Sequence, residues 1–260
     1  MRVLNMFTTL AAATALVASV SMAQAQMKKV VIGTEGAYPP FNNLTSDGKL
    51  VGFDVDVAKA LCKAAKFECT FVTQDWDGMI PALLANKFDA IIASMSITEE
   101  RMEKIDFTDK YYNTPPAIAV PKDSDIGGTS DADLSGKALG AQSATTHSNY
   151  AEEKLGSASL KLYPTPDEYK ADIAAGRIDA VIDDVVVLSD WIKTDEGACC
   201  KIIGTLTPDP KINGIGAGIG IRKGSDELKK AFNAAISAIR ADGTYKAIND
   251  EYFAFDVYGG

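Results

Sequence analysis

Two short apolar runs in this chain each lead into a pair of polar side chains. Asp89-Ala90-Ile91-Ile92 is followed by Ser94 and Ser96, and Asp179-Ala180-Val181-Ile182 by Asp183 and Asp184. Each run also follows a similar helix end, Asn86-Lys87-Phe88 in one case and Ala175-Gly176-Arg177-Ile178 in the other, which makes a weak internal echo. Both runs read as buried parallel-type strands. In open α/β sheets the carboxyl ends of the strands line the ligand crevice, so these two tips, with their hydroxyls and carboxylates, are where a site is expected.

Other chemistry-bearing residues are few. His147 is the only histidine and there is no CxxC, so structural zinc has little support. Cys62 and Cys69 bracket six residues between a helical pattern and a β-rich run. That separation predicts a disulfide closing a short helix-to-strand loop, with two buried free thiols as the alternative. Cys199 and Cys200 are adjacent, and a bond between neighbours closes a strained ring that seldom forms, so no bridge is expected there. A two-ligand metal site is the other use that such a pair suggests.

The elements that must position these residues alternate strand and helix. Residues 29–34 read as a strand, 54–66 as a helix with Val55, Ala58, Leu61 and Cys62 at helical spacing, and 68–72 as a strand. A helix is expected at 76–87, with Pro81 tolerable only near its first turn, before the strand at 89–92. The second half repeats the order: strand 137–141, helix 145–154, strand 160–163, helix 166–175, strand 179–182. Two α/β units suggest two lobes. The extended apolar stretches 116–121 and 214–221 are expected to connect them, with helices 226–241 and 244–252 packing back on the first. The lobes would then be 26–114 with 217–260, and 115–216, and two such crossings make a hinge that permits closure around a ligand.

Composition excludes several classes. The 260 residues are 47% hydrophobic and 23% charged, which fits neither disorder nor coiled coil. Lys plus Arg is 26 against 35 Asp plus Glu, a net charge of -9 that a nucleic-acid duplex would repel. Arg2, the uncharged run 6–20 and Ala23-Gln24-Ala25 read as a signal peptide cleaved after Ala25. The run is too short and too diluted by Ala and Thr for a membrane anchor. Export places the chain where disulfides persist.

Gly52-Phe53-Asp54-Val55-Asp56, the passage from Asp89-Ala90-Ile91-Ile92 to Ser96-Ile97-Thr98-Glu99-Glu100-Arg101, and the ending Phe255-Asp256-Val257-Tyr258-Gly259-Gly260 resemble the polar amino-acid-binding proteins of ABC importers, solute-binding protein family 3. The resemblance covers essentially the whole mature chain. It is closest in look to the lysine/arginine/ornithine- and histidine-binding subgroup, whose short cysteine-bridged loop Cys62 and Cys69 match. It implies an α/β chain with the type II periplasmic binding protein fold, two α/β lobes joined by a two-strand hinge with a ligand cleft between them. It also implies no catalysis, no cofactor, a monomer in the periplasm, and as partners an inner-membrane permease with its cytoplasmic ATPase.

The same resemblance suggests roles. Arg101 matches the arginine that clamps the ligand α-carboxylate, beside Ser94 and Ser96 and helped by hydroxyls such as Thr145 and Thr146. By itself Arg101 reads as a solvated helix charge next to Glu99 and Glu100. Asp184 would pair with the α-ammonium, or cap the helix that follows, or do both through different oxygens. Tyr38 and Trp76 match positions that sandwich the ligand side chain, where a flat cation gains about 0.5 to 2 kcal/mol. Glu35 stands where the basic-residue binders usually carry aspartate and suits a guanidinium or ammonium at the far end of the ligand.

Three departures bear on the ligand. Ala93 replaces a frequent serine, Gln142 an apolar residue and His147 a glutamine. Ala93 removes one hydrogen bond to the distal group, and Gln142 can restore one from the second lobe. His147 could donate to the carboxylate, sense pH, or simply sit on a helix surface. Together Glu35, Trp76 and Gln142 favour arginine, ahead of lysine, ornithine and histidine, or an opine derived from arginine. A cyclohexadienyl dehydratase-like enzyme with Glu35 as general acid is the rival from another class. It is opposed by the absence of an obvious activated base beside Asp184, Arg101 and Ser94.

Overall fold

A computed structural model of the chain describes residues 28–259. The expected signal peptide and Gly260 lie outside the described residues. The chain begins with β1 (Lys28–Thr34), a small antiparallel sheet of β2 (Ala37–Tyr38), β3 (Asn42–Leu44) and β4 (Leu50–Val51), then α1 (Phe53–Ala64) and β5 (Phe67–Thr73). A 3-10 turn at Trp76–Gly78 leads to α2 (Met79–Leu84), β6 (Ala90–Ile91), α3 (Glu99–Lys104) and β7 (Asp106–Tyr112). There follow β8 (Pro116–Pro121), β9 (Ala138–Gln142), α4 (Thr146–Lys154), β10 (Ser159–Tyr163), α5 (Pro166–Ala174), β11 (Ala180–Asp184), α6 (Val185–Trp191), β12 (Cys200–Thr205) and α7 (Pro210–Asn213). The chain finishes with β13 (Ala217–Ile221), α8 (Asp226–Ala241) and α9 (Thr244–Tyr252).

These strands make two five-stranded mixed sheets, in the orders β5-β1-β6-β13-β7 and β10-β9-β11-β8-β12. In the first, β1 runs parallel to β5 and β6, while β13 lies antiparallel between β6 and β7. In the second, β9 runs parallel to β10 and β11, while β8 lies antiparallel between β11 and β12. Of the stretches expected as connections, 116–121 is therefore a sheet strand throughout, and 214–221 is one from Ala217 onward. Both are apolar and buried, and each is paired to a strand on both sides, which satisfies their buried backbone groups. The chain crosses between the sheets at 113–115 and returns at 214–216.

The internal echo has a structural counterpart. A Cβ on Gly33 of β1 would stand 2.8 Å from the Phe88 ring, and one on Gly140 of β9 would stand 2.6 Å from Ile178. The aspartates that follow, Asp89 and Asp179, accept the backbone N–H of Val31 at 2.9 Å and of Ala138 at 2.7 Å. In each sheet a bulky residue thus leans on a bare strand, and an aspartate ties the incoming strand to its neighbour. The C-terminal helix α8 buries Leu228, Phe232, Ala235, Ile236 and Ile239 along one face and packs on α1.

Two expectations need correction. The helix expected at 76–87 is a 3-10 turn followed by six α-helical residues. Pro81 falls at its third position, where no intrahelical N–H is required, and Asn86 ends the segment in the left-handed region at φ 59°. Cys199 and Cys200 are joined in a disulfide in addition to the expected Cys62–Cys69 bridge, whose Cα atoms are 6.2 Å apart. The adjacent pair needs no loop closure, and its ring sits in a tight turn where the Cys200 N–H donates to the Gly197 carbonyl at 3.1 Å. Among the described residues no helix is long and apolar enough to cross a membrane.

Candidate functional site

A cleft with about 340 Å³ of empty space, part of it open to solvent, lies between the two sheets. The first sheet and its loops contribute Glu35 and Tyr38 after β1, Trp76 after β5, and Ala93, Ser94, Ser96 and Arg101 after β6. The second contributes Gln142 at the end of β9 and Thr145, Thr146 and His147 at the start of α4. Asp184 lines an adjoining cavity on the hinge side, which shares Tyr38, Ser94, Ser96, Thr146 and His147 with the first.

Local backbone chemistry explains why these side chains project there. The tips of β6 and β9 are each followed by a non-glycine residue in the left-handed region, Ser94 at φ 56° and Ala144 at φ 54°. Such residues persist only where the surroundings hold them. Ser94 is held on both sides: its N–H donates to the Tyr111 hydroxyl at 3.0 Å, and its hydroxyl donates to Asp54 at 2.9 Å. Asp54 is buried and also accepts from Tyr111 at 2.8 Å and Asn42 at 2.8 Å, so the Gly-Phe-Asp-Val-Asp stretch serves the site through Ser94. Ala144 turns its carbonyl into the cleft, where Trp76 Nε1 donates to it at 3.0 Å and Arg101 Nη2 at 3.2 Å. On the other side Thr145 caps α4, its hydroxyl accepting the Ser148 N–H at 3.1 Å.

Arg101 is buried, 9% exposed, and not a solvated helix charge. Its Nη1 donates to the Ser96 carbonyl at 3.0 Å, its guanidinium lies 5.3 Å from the Trp76 ring, and burial lowers its pKa to about 10. Both of these guanidinium hydrogen bonds end on carbonyls, which leaves its charge suited to an anionic partner. Trp76 belongs both to an apolar cluster with Met79, Leu83 and Phe88 and to the cavity wall.

At the far end Gln142 Nε2 donates to Glu35 at 2.6 Å and to the Pro164 carbonyl at 3.0 Å. Burial pushes the Glu35 carboxyl up to about 7, against the pull of the Gln142 hydrogen bond and with repulsion from Asp183 adding to the rise. Asp184 caps α6, its Oδ1 accepting the Val186 N–H at 2.7 Å, and its Oδ2 accepts from Thr114 in the crossing segment. Burial pushes its pKa up to about 7 as well. A nearby cation favours the ionised form of a buried carboxyl, so Glu35 in the cavity and Asp184 in the adjoining one are each matched to a positive group.

Sequence reasoning placed Asp183 at a strand tip without giving it a role, and it passed over Asp77, Ser143 and Thr114. Asp183 accepts the Tyr38 hydroxyl at 2.6 Å and a hydrogen bond from Tyr169, and it stands 3.2 Å from His147 Nδ1. Its place beside Asp184 at a strand tip was the available signal. Asp77 accepts from Ser143 across the cleft at 3.0 Å, and Thr114 reaches Asp184; neither carries a sequence signal. Among the described residues no group of three or more His, Cys, Asp or Glu could hold a metal ion.

Residues 30–255 match the family described as bacterial extracellular solute-binding proteins, family 3. The chain belongs to this family. As a family 3 solute-binding protein it is 47% identical over 235 residues to an L-arginine-binding protein of Pseudomonas aeruginosa, covering 89% of this chain and 90% of that one. It is 43% identical over 236 residues to a histidine-binding periplasmic protein of Salmonella typhimurium, covering 90% of each. An ancestral arginine-binding protein bound to arginine superposes with a TM-score of 0.80 at 36% identity, covering 87% of this chain and 98% of that one. The fold of this solute-binding protein is thus that of the two-lobed periplasmic amino-acid binding proteins, and its relatives bind rather than transform their ligands.

Proposed function

We propose that this protein is the periplasmic binding component of an ABC amino-acid importer that closes its lobes, 26–114 with 217–260 and 115–216, on a cationic L-amino acid, arginine first. In this reading Arg101, with Ser94, Ser96, Thr145 and Thr146 near it, holds the α-carboxylate, and Asp184 takes the α-ammonium. Tyr38, Trp76 and Ala93 flank the side chain, and Glu35 with Gln142 meets the distal cation. The observation that carries it is the polarity of one cavity: a buried guanidinium hydrogen-bonded to two carbonyls at one end and a buried carboxyl raised to about 7 at the other. The arginine-binding relative adds weight to the same ligand. The signal peptide is cleaved after Ala25, the protein acts as a monomer, and the closed form is what the permease with its ATPase recognises.

Calorimetric titration of refolded, ligand-free protein tests the reading. Tight binding of arginine is expected, weaker binding of lysine, ornithine or histidine, and loss in Arg101→Ala. Selective binding of glutamine or glutamate would remove Glu35 as the selectivity group. A second reading, an opine built on arginine, is favoured by one observation: a second cavity, lined by Asp184, adjoins the first and could take a substituent on the α-nitrogen. An arginine-derived opine that outcompetes arginine would establish it.

A further inference from the structure

Asp183 stands at the tip of β11 with hydrogen-bond donors on every side. The Tyr38 hydroxyl reaches its Oδ1 at 2.6 Å, the Asp184 amide reaches the same oxygen at 2.7 Å, and the Tyr169 hydroxyl reaches Oδ2. His147 Nδ1 lies 3.2 Å from Oδ1. A carboxylate only accepts, so the ring nitrogen that faces it carries the hydrogen. A neutral imidazole has one N–H, and Nε2 is then left with a lone pair. Burial holds the His147 pKa below its ordinary value, Asp183 opposes that shift and Arg101 adds to it, so the ring is neutral at physiological pH.

His147 lines both the ligand cavity and the hinge-side cavity, which also contains Asp184 and Ser94. Asp184 already accepts from Val186 and Thr114, whereas an ammonium brings three N–H donors that all need acceptors. We propose that Asp183 is a positioning residue that fixes His147 as the Nδ1–H tautomer, and that His147 Nε2 accepts a hydrogen bond from the α-ammonium of the bound amino acid beside Asp184. The proposal rests on the cleft being an amino-acid site. It reverses one of the roles left open by the sequence: the nitrogen that could have donated to the α-carboxylate is spent on Asp183.

His147 is the only histidine, so protein labelled with ¹⁵N-histidine gives one imidazole whose two nitrogens report the tautomer directly. At mildly alkaline pH and without ligand, the expected spectrum has a protonated Nδ1 and a bare Nε2. The Nε2 signal should shift on adding arginine but not on adding δ-guanidinovalerate, which is arginine without its α-ammonium. His147→Ala should weaken arginine on the order of tenfold and δ-guanidinovalerate by less than about twofold. Asp183→Asn, whose carboxamide can donate to Nδ1, should move the hydrogen to Nε2 and lose arginine affinity in parallel. If that variant does not fold, the wild-type tautomer and the His147→Ala pair decide. An Nε2–H tautomer in the wild type, or equal losses for both ligands, overturns the proposal. Failure of the wild type to bind any cationic amino acid overturns the reading of the cleft and the ammonium contact with it, while the ligand-free tautomer still judges the Asp183–His147 pair.

Discussion

Glu35 and Asp184 are carboxyls that folding makes harder to ionise. Their pKa values rise from 4.5 and 3.8 to about 7, with burial the largest cause in both. Between the unfolded and folded values the native state holds more protons than the unfolded chain, so their contribution to stability is present at the acid side of the window and is lost as pH rises towards 7. A bound cation reverses the shift, since it favours the ionised form. Two outcomes are expected. The thermal midpoint of ligand-free protein should fall between about pH 5 and 7, less steeply in Glu35→Gln. Arginine binding near neutral pH should release protons, measurable by calorimetry in buffers of different ionisation enthalpy, and Glu35→Gln should reduce the number released. A stability profile that rises through that window in wild type and variant alike would mean that neither carboxyl is shifted in this direction.

At the scale of elements, the bridge from Cys62 in α1 to Cys69 in β5 fastens a helix to the edge strand of the first sheet, away from the cavity. Closing so short a loop constrains the unfolded chain by roughly 2 to 3 kcal/mol. Cys62→Ser with Cys69→Ser should therefore lower the denaturation free energy by about that amount and leave arginine affinity within about twofold. A large loss of affinity would mean that the loop reaches the ligand after all. The chain pattern exposed this element because Val55, Ala58, Leu61 and Cys62 repeat at helical spacing. It misjudged residues 76–87, where Trp76 is drawn into the cleft wall and the chain turns tightly before α2 begins.

At the scale of the whole molecule, closure is written in contacts that cross the cleft. Ser143 donates to Asp77, Gln142 to Glu35, Trp76 and Arg101 to the Ala144 carbonyl, and Tyr38 to Asp183. The Ser143–Asp77 pair lies outside the ligand cavity, so it can favour the closed state without touching ligand. An exposed hydrogen bond of this kind contributes about 0.5 to 1 kcal/mol at most. Asp77→Ala should then weaken arginine by about two- to fivefold, mainly through faster dissociation in stopped-flow measurements. An unchanged dissociation rate would show that this pair does not hold the lobes together.

The sequence by itself determined the alternation of strands and helices, the two polar strand tips and the family, because hydropathy period and ordered motifs are local properties. It put Arg101, Glu35, Trp76 and Gln142 forward through resemblance, yet it could not tell Arg101 in a cleft from an exposed helix charge, since burial depends on what the other lobe covers. Only the tertiary structure decided that stretches 116–121 and 217–221 are sheet strands, because being apolar does not say which neighbours supply the hydrogen bonds. It also decided which nitrogen of His147 faces a carboxylate. Asp183 and His147 lie 36 residues apart in sequence, and their contact exists only because β11 and α4 belong to the same folded lobe.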